Sequence, residues 1–263
     1  DLSLLKEFTD YTINRHYWYI EDNPNKYQAF LKEVINNQAK LVSKWLSVGF
    51  VHGVMNTDNV LISGETIDYG PCAFIDEYNP MSVYSSIDSS GRYRYNNQPY
   101  ITSWNMARFA ETILQLLDED ATKAVEIANQ ELSKFETIFN TYWLQDMSKK
   151  LGILDPVDDD KTLIQELLNI MEKEHLDYTN TFKLLTQNRP LDISNSEFFT
   201  KWFKSYQYRI KDINPVTLMD IMKRNNPYII PRNHLVQEAL ETASYSDDYT
   251  LYNELYNALK QPY

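Results

Sequence analysis

The segment HGVMNTDNVLISGETIDYGP, residues 52–71, decides how the rest of the chain is read. It opens on His52, closes on Asp68-Tyr69-Gly70 and Pro71, and sets Asp58 and Asn59 side by side in its first half. Two short runs rich in aliphatic and β-branched residues, 60–63 and 65–68, stand on either side of Gly64. That pattern predicts two small strands around a turn. Asn59 and Asp68, nine residues apart, would then lie at opposite ends of a hairpin that brings their side-chain oxygens to one point. Four of the six glycines (Gly49, Gly53, Gly64 and Gly70) fall in or beside this segment. Glycine is used where the backbone needs unusual dihedrals or close approach, so the segment is expected to hold the most demanding geometry in the chain.

Outward from this segment the pattern is helical. Upstream, Leu4, Leu5, Phe8, Tyr11 and Thr12 recur at helical spacing, as do Phe30, Val34, Leu41, Val42, Trp45 and Leu46, predicting two helices that lead into the motif. Downstream, residues 71–102 show no period and are interrupted by proline, glycine, serine and asparagine. Their aromatic content predicts an ordered loop. Beyond it, helices are predicted over 104–117, 119–151, 161–173, 178–185, 196–211, 217–224, 232–243 and 250–259, with Asp160, Asn195 and Asp248 as capping residues. The acidic DPVDDDKT run, residues 155–162, lacks the alternating ligands, central glycine and closing glutamate of a calcium loop, and reads as a linker that caps a helix.

Composition limits the function classes. The 263 residues are 43% hydrophobic, enough for a buried core. No apolar run approaches the ~20 residues needed to span a bilayer, so no membrane partner is expected. A formal net charge of -12 and the lack of a basic run argue against nucleic acid. One cysteine, Cys72, excludes an internal disulfide and a cysteine-rich zinc module. It suits a reducing compartment, the cytoplasm, or an organelle matrix if a targeting segment has been removed. The twenty tyrosines fit packed interiors as well as interfaces and point to no function.

Two oxygen donors, Asn59 and Asp68, with room for water and phosphate oxygens, suit Mg²⁺ or Mn²⁺ carried with a nucleotide better than zinc or a calcium cage. The alternative reading makes them turn caps unrelated to metal. Asp68-Tyr69-Gly70 matches the Asp-Phe-Gly of protein kinases, whose aspartate bridges metal and phosphates. His52 and Asn59, seven apart, match the ends of the kinase His-x-Asp-x-x-x-x-Asn loop, but the aspartate position is Val54. From residue type alone, Asp58 reads either as a catalytic group or as a solvated loop carboxylate. His52 reads as a core histidine that buttresses the loop, and Asn56 as a turn residue.

The run VGFVHGVMNTDNVLISGETIDYGPCAFIDEYNP (48–80), followed by GRYRYNNQP (91–99) and WNMARFAETIL (104–114), closely resembles the selenoprotein O family. The resemblance extends to RHY (15–17), DYTNTF (177–182) and NPYIIPRN (226–233), and so covers essentially the whole chain. It implies a mainly α (α+β) fold like the C-terminal lobe of a protein kinase, a pseudokinase whose small β-hairpin lies near the active-site loop. Residues 1–263 would be that lobe with a helical C-terminal extension, 51–70 being the metal and catalytic loop and 71–102 an activation-segment-like loop. The implied activity is protein adenylylation, AMPylation of Ser, Thr or Tyr hydroxyls on protein substrates with ATP as donor. Asp58 then matches the family's base, and Asn59 and Asp68 match its metal and nucleotide ligands. An aspartate carboxylate is a weak base, so its part would be chiefly to orient the hydroxyl and accept its proton late.

The family's Gly-rich nucleotide loop and strand lysine with its paired glutamate have no counterpart before residue 50. The resemblance places these in an N-terminal lobe that is absent here. This implies that the chain alone is inactive and that the face left by that lobe could support self-association. Two other readings of the same residues stand beside this one: an ATP-dependent phosphotransferase using the same metal pair, and a non-catalytic interaction domain in which the loop is a relic.

Overall fold

A computed structural model describes residues 1–263 and shows a mainly helical chain with one two-stranded antiparallel sheet. In chain order the elements are α1 (Leu2–His16), α2 (Lys26–Val48), β1 (Phe50–Val51), β2 (Ala73–Phe74), α3 (Gln98–Thr112), α4 (Leu114–Leu117), α5 (Ala121–Leu132), α6 (Phe135–Lys150), α7 (Asp158–Lys173), α8 (Tyr178–Thr186), α9 (Glu197–Ile210), α10 (Pro215–Asn225), α11 (Asn233–Ser246) and α12 (Thr250–Leu259). They form two compact units. The first comprises Asp1–Ser43, Val54–Gly70 and Asn97–Tyr142, and the second Lys44–Gly53, Pro71–Asn96 and Trp143–Tyr263.

In the first unit, α1 starts at Asp1, whose carboxylate accepts from the Ser3 and Leu4 backbone N–H groups and so satisfies two orphan donors of the first turn. The stripe of Leu4, Phe8 and Tyr11 that predicts this helix faces outward, at 64%, 66% and 58% exposure; the buried side is carried by Thr9 and Ile13. α2 buries Phe30, Leu31, Val34, Ile35, Ala39 and Val42, the three-and-four spacing of one helix face. Phe30 meets Tyr17 and Phe109 edge-on, with ring centroids 5.3 and 5.6 Å apart. Glu131 on α5 is buried without strain on the charge balance, because Gln28 Nε2 and Lys134 Nζ each donate to it at 2.8 Å.

The helix predicted over 119–151 is two helices, broken at Ser133 and Lys134. The Ser133 hydroxyl donates to the Gln130 carbonyl at 3.0 Å while its backbone N–H still reaches Asn129, a local competition that ends the helix there. A similar break at Ile113 divides α3 from α4, where the Ile113 N–H bonds three residues back to Ala110.

The second unit holds the sheet, with Phe50 opposite Phe74 and Val51 opposite Ala73. Its core is tyrosine-rich. Tyr95 and Tyr178, both buried, donate their hydroxyls to the same Leu46 carbonyl at 2.6 and 3.0 Å, and Tyr78 stacks on Tyr178. The irregular segment 71–96 is thus an ordered loop, pinned further by Tyr78 N–H to Leu176 and Tyr178 N–H to Asp76. Arg232 bridges Asp76 and Asp177 across that same junction.

The acidic run forms the first turn of α7 and caps that helix: the Asp160 carboxylate accepts from the Val157 N–H at 2.8 Å and takes Arg209 of α9 at 2.7 Å. Near this core Lys150 is 2% exposed, its ammonium 4.2 Å from the Phe182 ring centroid. Burial, reinforced by Lys44 and opposed by Asp146, lowers its pKa to about 7.

Candidate active site

Asp58, Asn59 and Asp68 all lie on Val54–Gly70, within the first unit. The two predicted strands at 60–63 and 65–68 do not form; the sheet uses Phe50–Val51 and Ala73–Phe74, outside the loop in the chain. The reason lies in what the loop's carbonyls meet. Gln38 Nε2 donates to the Leu61 carbonyl at 2.6 Å, and the Tyr17 hydroxyl donates to Ile62 at 2.5 Å while accepting from Asn37 Nδ2. Side chains of α2 and of the turn after α1 therefore take the acceptors that a strand ladder would need. Val60, Leu61 and Ile62 line an apolar cavity of about 250 Å³ with Val34 and Phe109 instead of facing a partner strand.

The start of the loop is held in the same way. Asn105 Nδ2 from α3 donates to the Met55 carbonyl at 3.0 Å, and Asn59 Nδ2 donates to Val54 at 3.1 Å. Asp58 and Asn59 sit on a single 3₁₀ turn, Thr57–Asn59, closed by the Asn59 N–H on the Asn56 carbonyl at 3.0 Å. Burial pushes the Tyr17 phenol up to about 12, so it remains a donor to Ile62 throughout the physiological range.

With the backbone clamped from outside, the candidate side chains are left over. Asp58 and Asp68 are exposed and make no ion pair or side-chain hydrogen bond. Asn59 is half-buried; its amide nitrogen is committed to Val54, which leaves Oδ1 as the acceptor end. The loop thus offers three hard oxygen donors without internal partners. No group of three or more His, Cys, Asp or Glu is gathered as a self-contained metal site. A divalent ion held by Asn59 and Asp68 would complete its shell with water and phosphate oxygens, and an all-oxygen set of this kind fits Mg²⁺ or Mn²⁺.

The turn at Asp68 is tighter than its sequence suggests. Asp68 itself has φ +54°, in the left-handed region, and its carbonyl accepts from the Gly70 N–H at 2.8 Å. Gly70 has ordinary dihedrals, and a Cβ there would meet nothing within 4 Å, so the strained conformation rests on the aspartate. Gly53 and Gly64 are glycines that the local geometry requires: their φ values are +85° and +79°, and a Cβ would lie 2.9 Å from the Pro71 carbonyl oxygen and 2.9 Å from the Asn37 Cβ respectively. His52 is 1% exposed and packs beside Trp45 and Phe50, a core histidine in place of a group open to substrate.

A family model described as Protein adenylyltransferase SelO matches residues 1–260. The chain belongs to the SelO family. The protein nucleotidyltransferase YdiU of Bacillus cereus strain AH187 is 51% identical over 265 residues, covering 98% of this chain and 54% of the relative. The proteins of the same name from Bacillus cytotoxicus and Clostridium perfringens are 52% and 51% identical, again over 98% of the chain and 54% of each relative. The chain spans about half the length of these curated relatives.

Tyr17, Gln38 and Asn105, which clamp the loop, are not singled out by motif reasoning. Two of them do lie in stretches that carry the SelO resemblance, Tyr17 in RHY and Asn105 in WNMARFAETIL. A tyrosine and an asparagine with no chemistry of their own, held inside such stretches, are the signal that was available.

Proposed function

We propose that this chain carries the metal and catalytic loop of a kinase-like protein adenylyltransferase that transfers AMP from ATP to Ser, Thr or Tyr hydroxyls of proteins. The observation that carries this reading is the clamped loop of a SelO-family chain, in which the Asp58 and Asp68 carboxylates and Asn59 Oδ1 are left without internal partners. Asn59 Oδ1 and the Asp68 carboxylate would hold the divalent cation that accompanies the nucleotide. The bound Mg²⁺ or Mn²⁺ supplies neutralisation of phosphate charge.

Asp58 orients the acceptor hydroxyl and takes its proton as the oxygen attacks the α-phosphorus; the bond to the bridging oxygen breaks and pyrophosphate leaves. Val54, in the usual kinase position, has no group to perform this step; the match of Asp58 to the family's base supports giving it the task. Phosphate transfer is mostly positioning, and the chain has no Gly-rich loop or paired lysine to grip the phosphates. By itself the 263-residue chain is therefore expected to be inactive.

Mass spectrometry of a protein substrate incubated with ATP, Mg²⁺ and the protein at full family length tests the reading. An added AMP mass on a hydroxyl residue is the expected result. An added phosphate mass would establish a phosphotransferase, and no adduct with any substrate would support a non-catalytic domain.

A further inference from the structure

We infer that the second unit carries a metal-independent binding site for a nucleoside phosphate, separate in residues from the loop at Val54–Gly70. A cleft of about 720 Å³ is lined by Lys183 and Thr186 of α8, Lys223 and Arg224 of α10, and Asn226 and Tyr228 just beyond α10. Its volume falls in the range of small-molecule sites. Three cations meet there, and no carboxylate side chain lines the cleft, in a chain whose formal net charge is -12. Arg224 is shared with Asp220 at 2.7 Å on the helix surface, while Lys223 has no acidic partner. Such a local reversal of sign concentrates anions that the rest of the surface repels.

The remaining groups call for more than an anion. Tyr228 is 55% exposed, yet its ring is braced: Lys183 Nζ lies 3.7 Å from the ring centroid and Gln187 Nε2 donates to its hydroxyl at 2.7 Å. A ring fixed in this way is a platform for a second flat ring. Asn226 is 4% exposed and lines the same cleft. Its Nδ2 is committed to the Lys150 carbonyl at 2.8 Å and the Thr186 hydroxyl at 3.0 Å, while its Oδ1 accepts from nothing. A buried acceptor without a donor is satisfied by a ligand that brings an N–H. A flat ring with an amino group and attached phosphates presents all three complements: the ring to Tyr228, the N–H to Asn226, and the phosphates to Lys183, Lys223 and Arg224.

Because no acidic side chain lines the cleft, binding there needs no divalent ion, unlike binding at Asn59 and Asp68. The experiment is calorimetric titration of ADP into the 263-residue chain in EDTA, repeated with pyrophosphate and with the Lys183→Glu/Lys223→Glu and Tyr228→Ala variants, each checked for fold by circular dichroism. EDTA silences the proposed catalytic site, so failure there and failure here are distinguishable. The expected result is metal-independent ADP binding, weakened at least about tenfold in both variants, with pyrophosphate binding weaker than ADP. Absence of ADP binding in EDTA, or binding that survives the double charge reversal, would overturn the site. Pyrophosphate binding as tight as ADP, or indifference to Tyr228→Ala, would reduce it to a simple anion patch and overturn the nucleotide assignment.

Discussion

Asp58 and Asn59 are neighbours on one 3₁₀ turn, yet only one of them is tethered, and the proposed function gives them different tasks. The Asn59 amide is fixed through Val54, which suits a ligand that must hold one position, whereas Asp58 is exposed and untethered, which suits a group that must meet a variable substrate hydroxyl. The two should therefore separate in experiment. In a protein of full family length, Asp58→Ala is expected to lower AMP transfer by roughly 100-fold or more, while Mg²⁺-dependent ATP affinity changes by less than about threefold. Parallel loss of both, measured by transfer assay and calorimetry, would show that Asp58 binds the nucleotide complex instead of orienting the hydroxyl. Asp68 is the other residue-scale feature, since a non-glycine residue with φ +54° stores strain at the point where a ligand is proposed.

At the scale of elements, the loop is stabilised by donors from far along the chain. Tyr17 reaches Ile62 across 45 positions and Asn105 reaches Met55 across 50. Tyr17→Phe removes the donor to the Ile62 carbonyl and the acceptor for Asn37, and should cost about 1–3 kcal/mol in denaturant unfolding. Hydrogen exchange should show the extra opening concentrated in residues 57–64; uniform destabilisation would mean that the tyrosine acts only as core packing. These long-range bonds also explain what could be read in advance. The downstream helices are legible because burial of one face imposes a 3.6-residue period, as in α7 and α9. That no hairpin forms at 60–68 was not legible, because local pattern reports which residues could pair and not which side chains arrive to occupy their carbonyls. The identities of Asp58, Asn59 and Asp68 as candidates were legible from spacing and resemblance. Their supports were not, since Gln38 sits within a helix and looks like any polar surface residue.

For the molecule as a whole, the SelO match runs through both units, while the proposed chemistry occupies one loop of the first. The stability of the chain carries a pH signature of its own. Lys150 has an ordinary value of 10.5 lowered to about 7 in the folded state. Between these values the unfolded chain binds a proton that the folded chain does not, so stability rises with pH from about 7 towards 10.5 and the full penalty applies below 7. Lys150→Met keeps the length and removes the penalty. It should raise Tm by several degrees at pH 6, with the gain shrinking towards pH 10. A Tm that falls at pH 6 would show that the ammonium is stabilised by its aromatic neighbours by more than burial costs. No helix is long and apolar enough to cross a membrane.

The central claim is that Asn59 and Asp68 form a divalent-cation site that binds nucleotide only with metal. The most direct measurement is ATP titration by calorimetry, with Mg²⁺ and with EDTA, on the protein at full family length and on its Asp68→Ala variant. The account predicts an Mg²⁺-dependent component of binding in the parent that falls at least about tenfold in the variant. An Mg²⁺-dependent component of undiminished strength in Asp68→Ala, or none in the parent, would contradict it.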